Sequence, residues 1–240
     1  MLDPKVKELF IEQAGYYSLS GCSVGDSPLL KLFSLWQKNK KENELKIADF
    51  GGAGGQLLDV LAKKSNKGLK LYDVELVGSY KKHLANQDIV FVNKSILNAG
   101  FKNKYFDCII IRDVLHHLIG FNLLDTQKNQ ERALLELKRM IRPGGLILIE
   151  ELVTSSKISS RIIYALSKLN SKIGFKNKLL LISSNTVVSF LTVNDLNRLI
   201  EKVFDGQQIR TDKIPWNREL SSRLMHLGAK NWKMILAIRT

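Results

Sequence analysis

The chain has 240 residues, 45% hydrophobic and 25% charged, which is the balance of a soluble globular protein with enough length to bury a sizeable core. Its two cysteines, Cys22 and Cys108, exclude a disulfide framework and a cysteine zinc site, and no metal site is expected. A formal net charge of +14 points toward an acidic partner: nucleic acid, an anionic membrane or an anionic small substrate.

The charge is uneven. Residues 1–150 carry 22 Lys and Arg against 17 Asp and Glu, whereas residues 151–240 carry 15 against 6. Between Leu152 and Asn194 there are six basic residues and no acid. The cysteine usage fits a reducing compartment, and MLDPKVKELF has no signal-peptide apolar region. The most apolar long window, Leu179 to Val193, is too short for a membrane span and holds Ser183, Ser184, Asn185 and Ser189. A soluble, cytoplasmic protein is expected.

Asp3-Pro4 is a helix start, and Val6, Leu9, Phe10 and Ala14 give that helix an apolar face. Tyr16 to Gly25 reads as a connection. Ser27-Pro28 repeats the start signal, with an apolar helix over Leu29 to Trp36 and a charged turn over Gln37 to Glu44. These 44 residues either pack against a sheet or form a lid over the ligand site. Then comes LKIADFGGAGGQLL, Leu45 to Leu58: an apolar strand containing Asp49, a turn with Gly51, Gly52, Gly54 and Gly55, and a helix carrying Leu57, Leu58 and Leu61. Glycines suit a backbone at positive φ or close to a ligand, and the helix start favours an anionic ligand group.

Further strands are expected at Lys70–Val74, ending in Asp73, and at Ile89–Val92, Phe106–Ile111 and Leu146–Ile149. Helices fall at Ser79–Asn86 and over the segment with Leu134, Leu135, Leu137, Met140 and Ile141, which stops at Arg142-Pro143-Gly144-Gly145. Cys108 lies inside a strand and reads as a small buried hydrophobe. Continuous apolar strands alternating with helices predict an α/β fold, with a doubly wound parallel sheet covered on both faces. Ligands of such sheets bind beyond the carboxyl ends of the strands. That rim gathers Asp49 to Gly55, Asp73, Ser95-Ile96, Arg112, Asp113, His116 and Glu151.

A phosphate-cradling P-loop would need a Gly-Lys-Ser/Thr ending, which is absent. The dinucleotide pattern from Gly52 puts Leu57 where a small residue is required. The chain resembles the Rossmann-like, S-adenosylmethionine (AdoMet)-dependent methyltransferases. Their first motif, an acid followed by spaced glycines, reads here as Asp49, Gly51, Ala53, Gly55, with Ala53 in place of the middle glycine. FDCIIIRDVLHHL and LLELKRMIRPGGLILIEE look like their fourth motif and the approach to their fifth strand.

The resemblance implies a mostly parallel seven-stranded sheet and AdoMet as cofactor. It implies AdoMet contacts from Asp49, Gly51, Gly52, Ala53, Gly55, Asp73, Val74, Ser95, Ile96, Arg112 and Asp113. Asp73 would bind the ribose, and Ser95 with the Ile96 backbone would meet adenine in place of the family's frequent Asp. It continues through the helix LTVNDLNRLIEKVF and the strands QQIRTDKI and WKMILAIRT. One domain is expected: a helical lid (1–44), an AdoMet-binding core (45–151), a basic helical insertion (152–191) and a C-terminal helix with the last two strands (192–240).

Methyl transfer from a sulfonium needs chiefly in-line alignment, and needs a base only if the acceptor must lose a proton. Candidate bases are His116, His117 and Glu151, with His116 favoured as nearer the strand end; Arg112 is expected to pair with Asp113. In segment 156–178, Ile158, Ile162, Leu166, Leu169 and Ile173 share one helix face, with Lys157, Arg161, Lys168 and Lys172 around the rest. This helix either packs its apolar stripe on the domain as a cap or meets an anionic lipid surface or RNA. The expected acceptor is a small molecule, lipid-like or ring-bearing. RNA or protein methylation through the basic C-terminal face is the alternative, and a non-catalytic nucleotide-binding or interaction module is the alternative of another class.

Overall fold

The computed structural model describes residues 28–173, 187–215 and 231–240, with Lys7 and Ile11 helical. The expected first helix, its connection to Ser27 and Phe175 to Lys178 otherwise lie outside the described residues, as do the side chains of Lys172 and Ile173.

In chain order the elements are α1 (Pro28–Gln37), β1 (Glu44–Phe50), α2 (Gln56–Lys64), β2 (Gly68–Glu75), β3 (Val90–Asn93) and β4 (Phe106–Arg112). They continue with α3 (Leu123–Met140), β5 (Ile141–Thr154), α4 (Lys157–Ile173), β6 (Leu191–Thr192), α5 (Val193–Val203), β7 (Gln208–Pro215) and β8 (Asn231–Arg239). The sheet order is β3-β2-β1-β4-β5-β8-β7. β1 to β5 are parallel, and β8 runs antiparallel to both β5 and β7. The path holds the seven expected strands; the two-residue β6 adds an eighth beside Val153-Thr154.

The apolar runs are buried on both sides, as continuous strands in a covered sheet must be. Ala48, Phe50, Ile109, Ile111, Ile147 and Ile149 pack under α3 and α5 in one core cluster. Ile47, Ile110 and Leu148, with fully buried Cys108, pack on the other face with α1 and α2. α1 buries Leu29, Leu30, Phe33 and Trp36, and the Trp36 indole donates to Gly144 O at the start of β5. This part of the expected lid is therefore a core layer near the strand starts.

Several boundaries differ from expectation. The helix at 79–86 is a 3₁₀ segment over Gly78–His83. α3 ends at Met140, because Ile141 already pairs with Phe106 and the Pro143-Gly144-Gly145 turn lies within β5. Its buried face is Ala133, Leu134, Leu137 and Met140, with Thr126, Asn129 and Gln130, while Leu135 points to solvent. β2 runs two residues past Asp73 and ends on Glu75.

Candidate active site

β1 delivers the chain into a turn with left-handed backbone at Gly51 (φ 79°), Ala53 (φ 51°), Gly54 (φ 100°) and Gly55 (φ 76°). Glycine takes this conformation freely, whereas Ala53 holds it at a cost of roughly 1 kcal/mol. The turn is tied to β2. Gly51 N–H donates to Val74 O at 3.0 Å, Gly54 N–H to Asp73 Oδ2 at 3.2 Å, and Ala53 N–H to Glu75 Oε1 at 2.5 Å. Gly52 is fixed by close approach instead. A Cβ there would lie 2.6 Å from Asp73 Oδ1 and 2.9 Å from Asp49 Oδ2.

Asp49, Asp73 and Glu75 all project from the α1/α2 face of the sheet, and all are buried. Both carboxylate oxygens of Asp49 and Oδ1 of Asp73 lack a hydrogen-bond partner. Burial pushes Asp49 up to about 6, with Arg112 opposing and Glu150 adding to the shift. Burial, with Glu75 and Asp49 beside it, pushes Asp73 up to about 8. Burial likewise pushes Glu75 up to about 7 against the Ala53 hydrogen bond. A buried, under-satisfied carboxyl cluster is poised for a cation.

Charged residues continue along the same face of the rim, with Arg112 on β4, Glu150 on β5 and Lys233 on β8. Lys233 Nζ donates to Glu150 Oε1 and lies 3.5 Å from Asp113 Oδ2. Asp113 thus pairs with Lys233 rather than with its neighbour Arg112. Burial would lower the Lys233 ammonium, but Asp113 and Glu150 raise it. Asp113 itself sits at φ 55°, with its N–H on Glu150 O at 2.8 Å.

The two histidines lie on a 3₁₀ turn, Leu115–His117, directly after β4. His116 is buried, and its Nδ1 is 2.5 Å from Glu151 Oε1. Glu151 is fully buried and further held by Leu115 N–H at 2.7 Å and Leu152 N–H at 3.0 Å. Burial would lower His116, yet the Glu151 carboxylate outweighs it and the ring is held above its usual value. His117, whose ring centroid is 4.0 Å from that of His116, is driven well below the usual range by burial and by His116.

Phe190 stacks on His116 with centroids 4.9 Å apart, and Ser189 N–H donates to His116 O at 2.9 Å. Gln130 bridges Leu115 O and Ser189 O from α3. The expected adenine contacts, Ser95 and the Ile96 backbone, follow β3. Ser95 Oγ accepts from Leu97 N–H at 3.2 Å, and Ile96 is buried in the core. Val74 also points into the core, so its offering to the turn is its carbonyl.

Residues 48–149 match a protein-family model described as a methyltransferase domain. That stretch, under half of the chain, is similar to a methyltransferase domain, and it lies on a Rossmann-like sheet. Solved structures share the fold at low identity. An arsenic(III) S-adenosylmethionine methyltransferase from Chlamydomonas reinhardtii is 15% identical, with a TM-score of 0.60 over 91% of this chain and 72% of that one. A 1,6-didemethyltoxoflavin-N1-methyltransferase from Burkholderia thailandensis, with bound 1,6-didemethyltoxoflavin and S-adenosylhomocysteine, is 13% identical, with a TM-score of 0.60 over 99% and 88%. A methyltransferase from Haloferax volcanii in complex with the Trm112 activator is 10% identical, with a TM-score of 0.58 over 97% and 96%.

The methyltransferase domain as matched begins in β1 and ends in β5, so it takes in the glycine turn, all three buried acids, Arg112, Asp113 and both histidines. Glu151, Phe190 and Lys233 lie beyond it. The motifs did not single out Glu75, Gln130, Phe190 or Lys233. Glu75 had a signal in its spacing, two residues after Asp73 and so on the same strand face. Gln130 had one as a polar residue on an apolar helix face. Phe190 and Lys233 reach the site from distant segments, and local pattern gave no cue.

Proposed function

We propose that the glycine turn, Asp49 and Glu75 hold AdoMet, and that His116 accepts a proton from a small-molecule acceptor carrying an ionisable O–H or N–H. The His116–Glu151 pair carries this reading. Glu151 fixes the imidazole through Nδ1, which leaves Nε2 as the basic nitrogen in the neutral tautomer. Phe190 against the ring supports a ring-bearing or lipid-like acceptor, since an apolar aromatic wall favours such groups.

Two features of the turn suit AdoMet. The orphaned Asp49 oxygens call for a cation, which the ligand's ammonium and sulfonium provide. The bare Gly52 lets the backbone lie against both aspartates without a side chain intervening. AdoMet supplies a methyl group already activated on sulfur, so the residues of this chain need only orient the acceptor, exclude water and take up its proton.

Glu75, rather than Asp73, is the acid we assign to the ribose hydroxyls. Asp73 lies beneath the turn, bonded to Gly54 N–H, whereas Glu75 stands at the strand end. Replacing Glu75 by Gln is expected to weaken AdoMet binding about tenfold, the worth of a charged hydrogen bond, and to leave the melting temperature unchanged or raised. Equilibrium dialysis with labelled AdoMet and a thermal melt check both. Unchanged affinity would return the ribose role to Asp73.

A further inference from the structure

α4 is built inside out for a packed helix. Its apolar stripe, Ile158, Ile162, Leu166 and Leu169, recurs at spacings of four, four and three, and so forms one face. That face is exposed, at 72%, 38%, 46% and 53% respectively. The face turned to the protein holds Ser159, Ile163, Tyr164, Ser167 and Ser171. Ser167 Oγ donates to Tyr164 O and Ser171 Oγ to Lys168 O, both at 2.9 Å, so these hydroxyls are buried without loss of hydrogen bonds. The sequence leaves open whether the stripe caps the domain, and among the described residues nothing covers it.

Two neighbours widen the apolar face. Lys168 Nζ donates to Phe121 O, placing that loop beside the helix, and both Phe121 and Leu124 are exposed. Lys157, Arg161 and Lys168 line one flank of the stripe. Lys157 is 3.7 Å from Asp195, but among the described residues no carboxylate lies within ion-pair distance of Arg161 or Lys168. The sequence keeps this character beyond α4, with no acid before Asp195 and further lysines at 176 and 178.

We infer that α4 docks the protein on an anionic phospholipid surface, lying in the plane of the interface. The apolar stripe enters the headgroup region and the basic flank meets the lipid charges, which is the pattern of an interfacial amphipathic helix. No helix among the described residues is long and apolar enough to cross a membrane. A second copy is a poorer occupant, because it would bring a second basic helix with no acid between Leu152 and Asn194 to meet the first. RNA is poorer too, since four aliphatic side chains offer nothing for base stacking.

The helix also touches the candidate active site at one remove. Ser160 Oγ donates to Phe190 O at 2.5 Å, and Phe190 stacks on His116. Docking would thus place Phe190, and His116 behind it, near the lipid boundary. That consequence rests on the proposed role of His116, whereas the docking does not.

Co-sedimentation of the full chain with vesicles tests the inference. We expect binding to vesicles of phosphatidylglycerol with phosphatidylcholine, none to phosphatidylcholine alone, and release as salt shortens the screening length. Arg161→Glu should weaken binding by about tenfold or more, since each basic residue near an anionic surface contributes about fivefold. Ile162→Glu with Leu166→Glu should abolish it. All three positions are exposed, so the variants should keep the wild-type melting temperature and AdoMet affinity. Absence of vesicle binding, equal binding by the variants, a dimer broken by Leu166→Glu without vesicle binding, or RNA binding in place of vesicle binding would each overturn the docking. His116→Ala should bind vesicles as wild type does, which separates failure of docking from failure of the catalytic reading.

Discussion

Replacing His116 by alanine is expected to lower methyl transfer by about 10²- to 10⁴-fold while leaving AdoMet affinity within about twofold, the range for loss of a positioned general base. The imidazole is pinned by a carboxylate that is itself held by two backbone N–H groups and the ring, so little of its orientation is left to chance. Glu151→Gln should retain part of the rate and shift the pH profile. The Glu151 charge holds the His116 pKa above its usual value, so removing it should move the rising limb of the profile to lower pH. S-adenosylhomocysteine formation, followed against pH with an acceptor that supports turnover, gives both numbers. Full activity of His116→Ala would leave the domain with positioning alone and remove the base.

Asp49→Asn should separate stability from function. Asp49 is fully buried with both oxygens unpartnered, and its carboxyl is raised from 3.8 to about 6. The folded protein therefore holds this proton more tightly than the unfolded chain does. Stability is greatest below the unfolded value and declines as the pH rises from about 4 to about 6. Above that window the ionised carboxylate costs about 3 kcal/mol, from 1.36 kcal/mol per pKa unit. The neutral amide removes that charge, so the ligand-free variant should melt higher than wild type at pH 7.5. The same change removes the counter-charge for AdoMet, and affinity should fall by roughly 30-fold or more, from about 2 kcal/mol for an unpaired buried charge. Calorimetric melting and AdoMet titration of the same preparation test the pair. A variant that is less stable yet binds normally would mean that Asp49 is structural.

The sheet was legible because continuous apolar runs such as Cys108 to Ile111 can be buried only on both faces, and because the turn around Gly51 to Gly55 has few other uses. The end of β2 was not. Asp73 and Glu75 have the same period-two parity, and what separates them is how far β3 extends beside β2, pairing Asn93 with Glu75. α4 shows a different limit. Its stripe was plain in the sequence, but the direction of the stripe was not. Serines pass for a polar outer face, yet Ser167 and Ser171 satisfy their hydroxyls on the preceding turn and can face inward. Lys233 shows a third, since the antiparallel β8 brings it across β5 to Glu150 from 83 positions away.

We propose that a buried, partly protonated set of acids receives a cationic methyl donor. Burial pushes Asp49, Glu75 and Asp73 up to about 6, about 7 and about 8, so around pH 7 they share bound protons. A cation beside them lowers all three, so binding must expel protons and affinity must climb with pH through this window. The direct measurement is calorimetric titration of AdoMet into the wild-type protein at about pH 7, in two buffers of different ionisation enthalpy. Saturable binding with a heat that changes between buffers in the direction of proton release is the predicted result. No saturable binding, or a heat independent of the buffer, would contradict it.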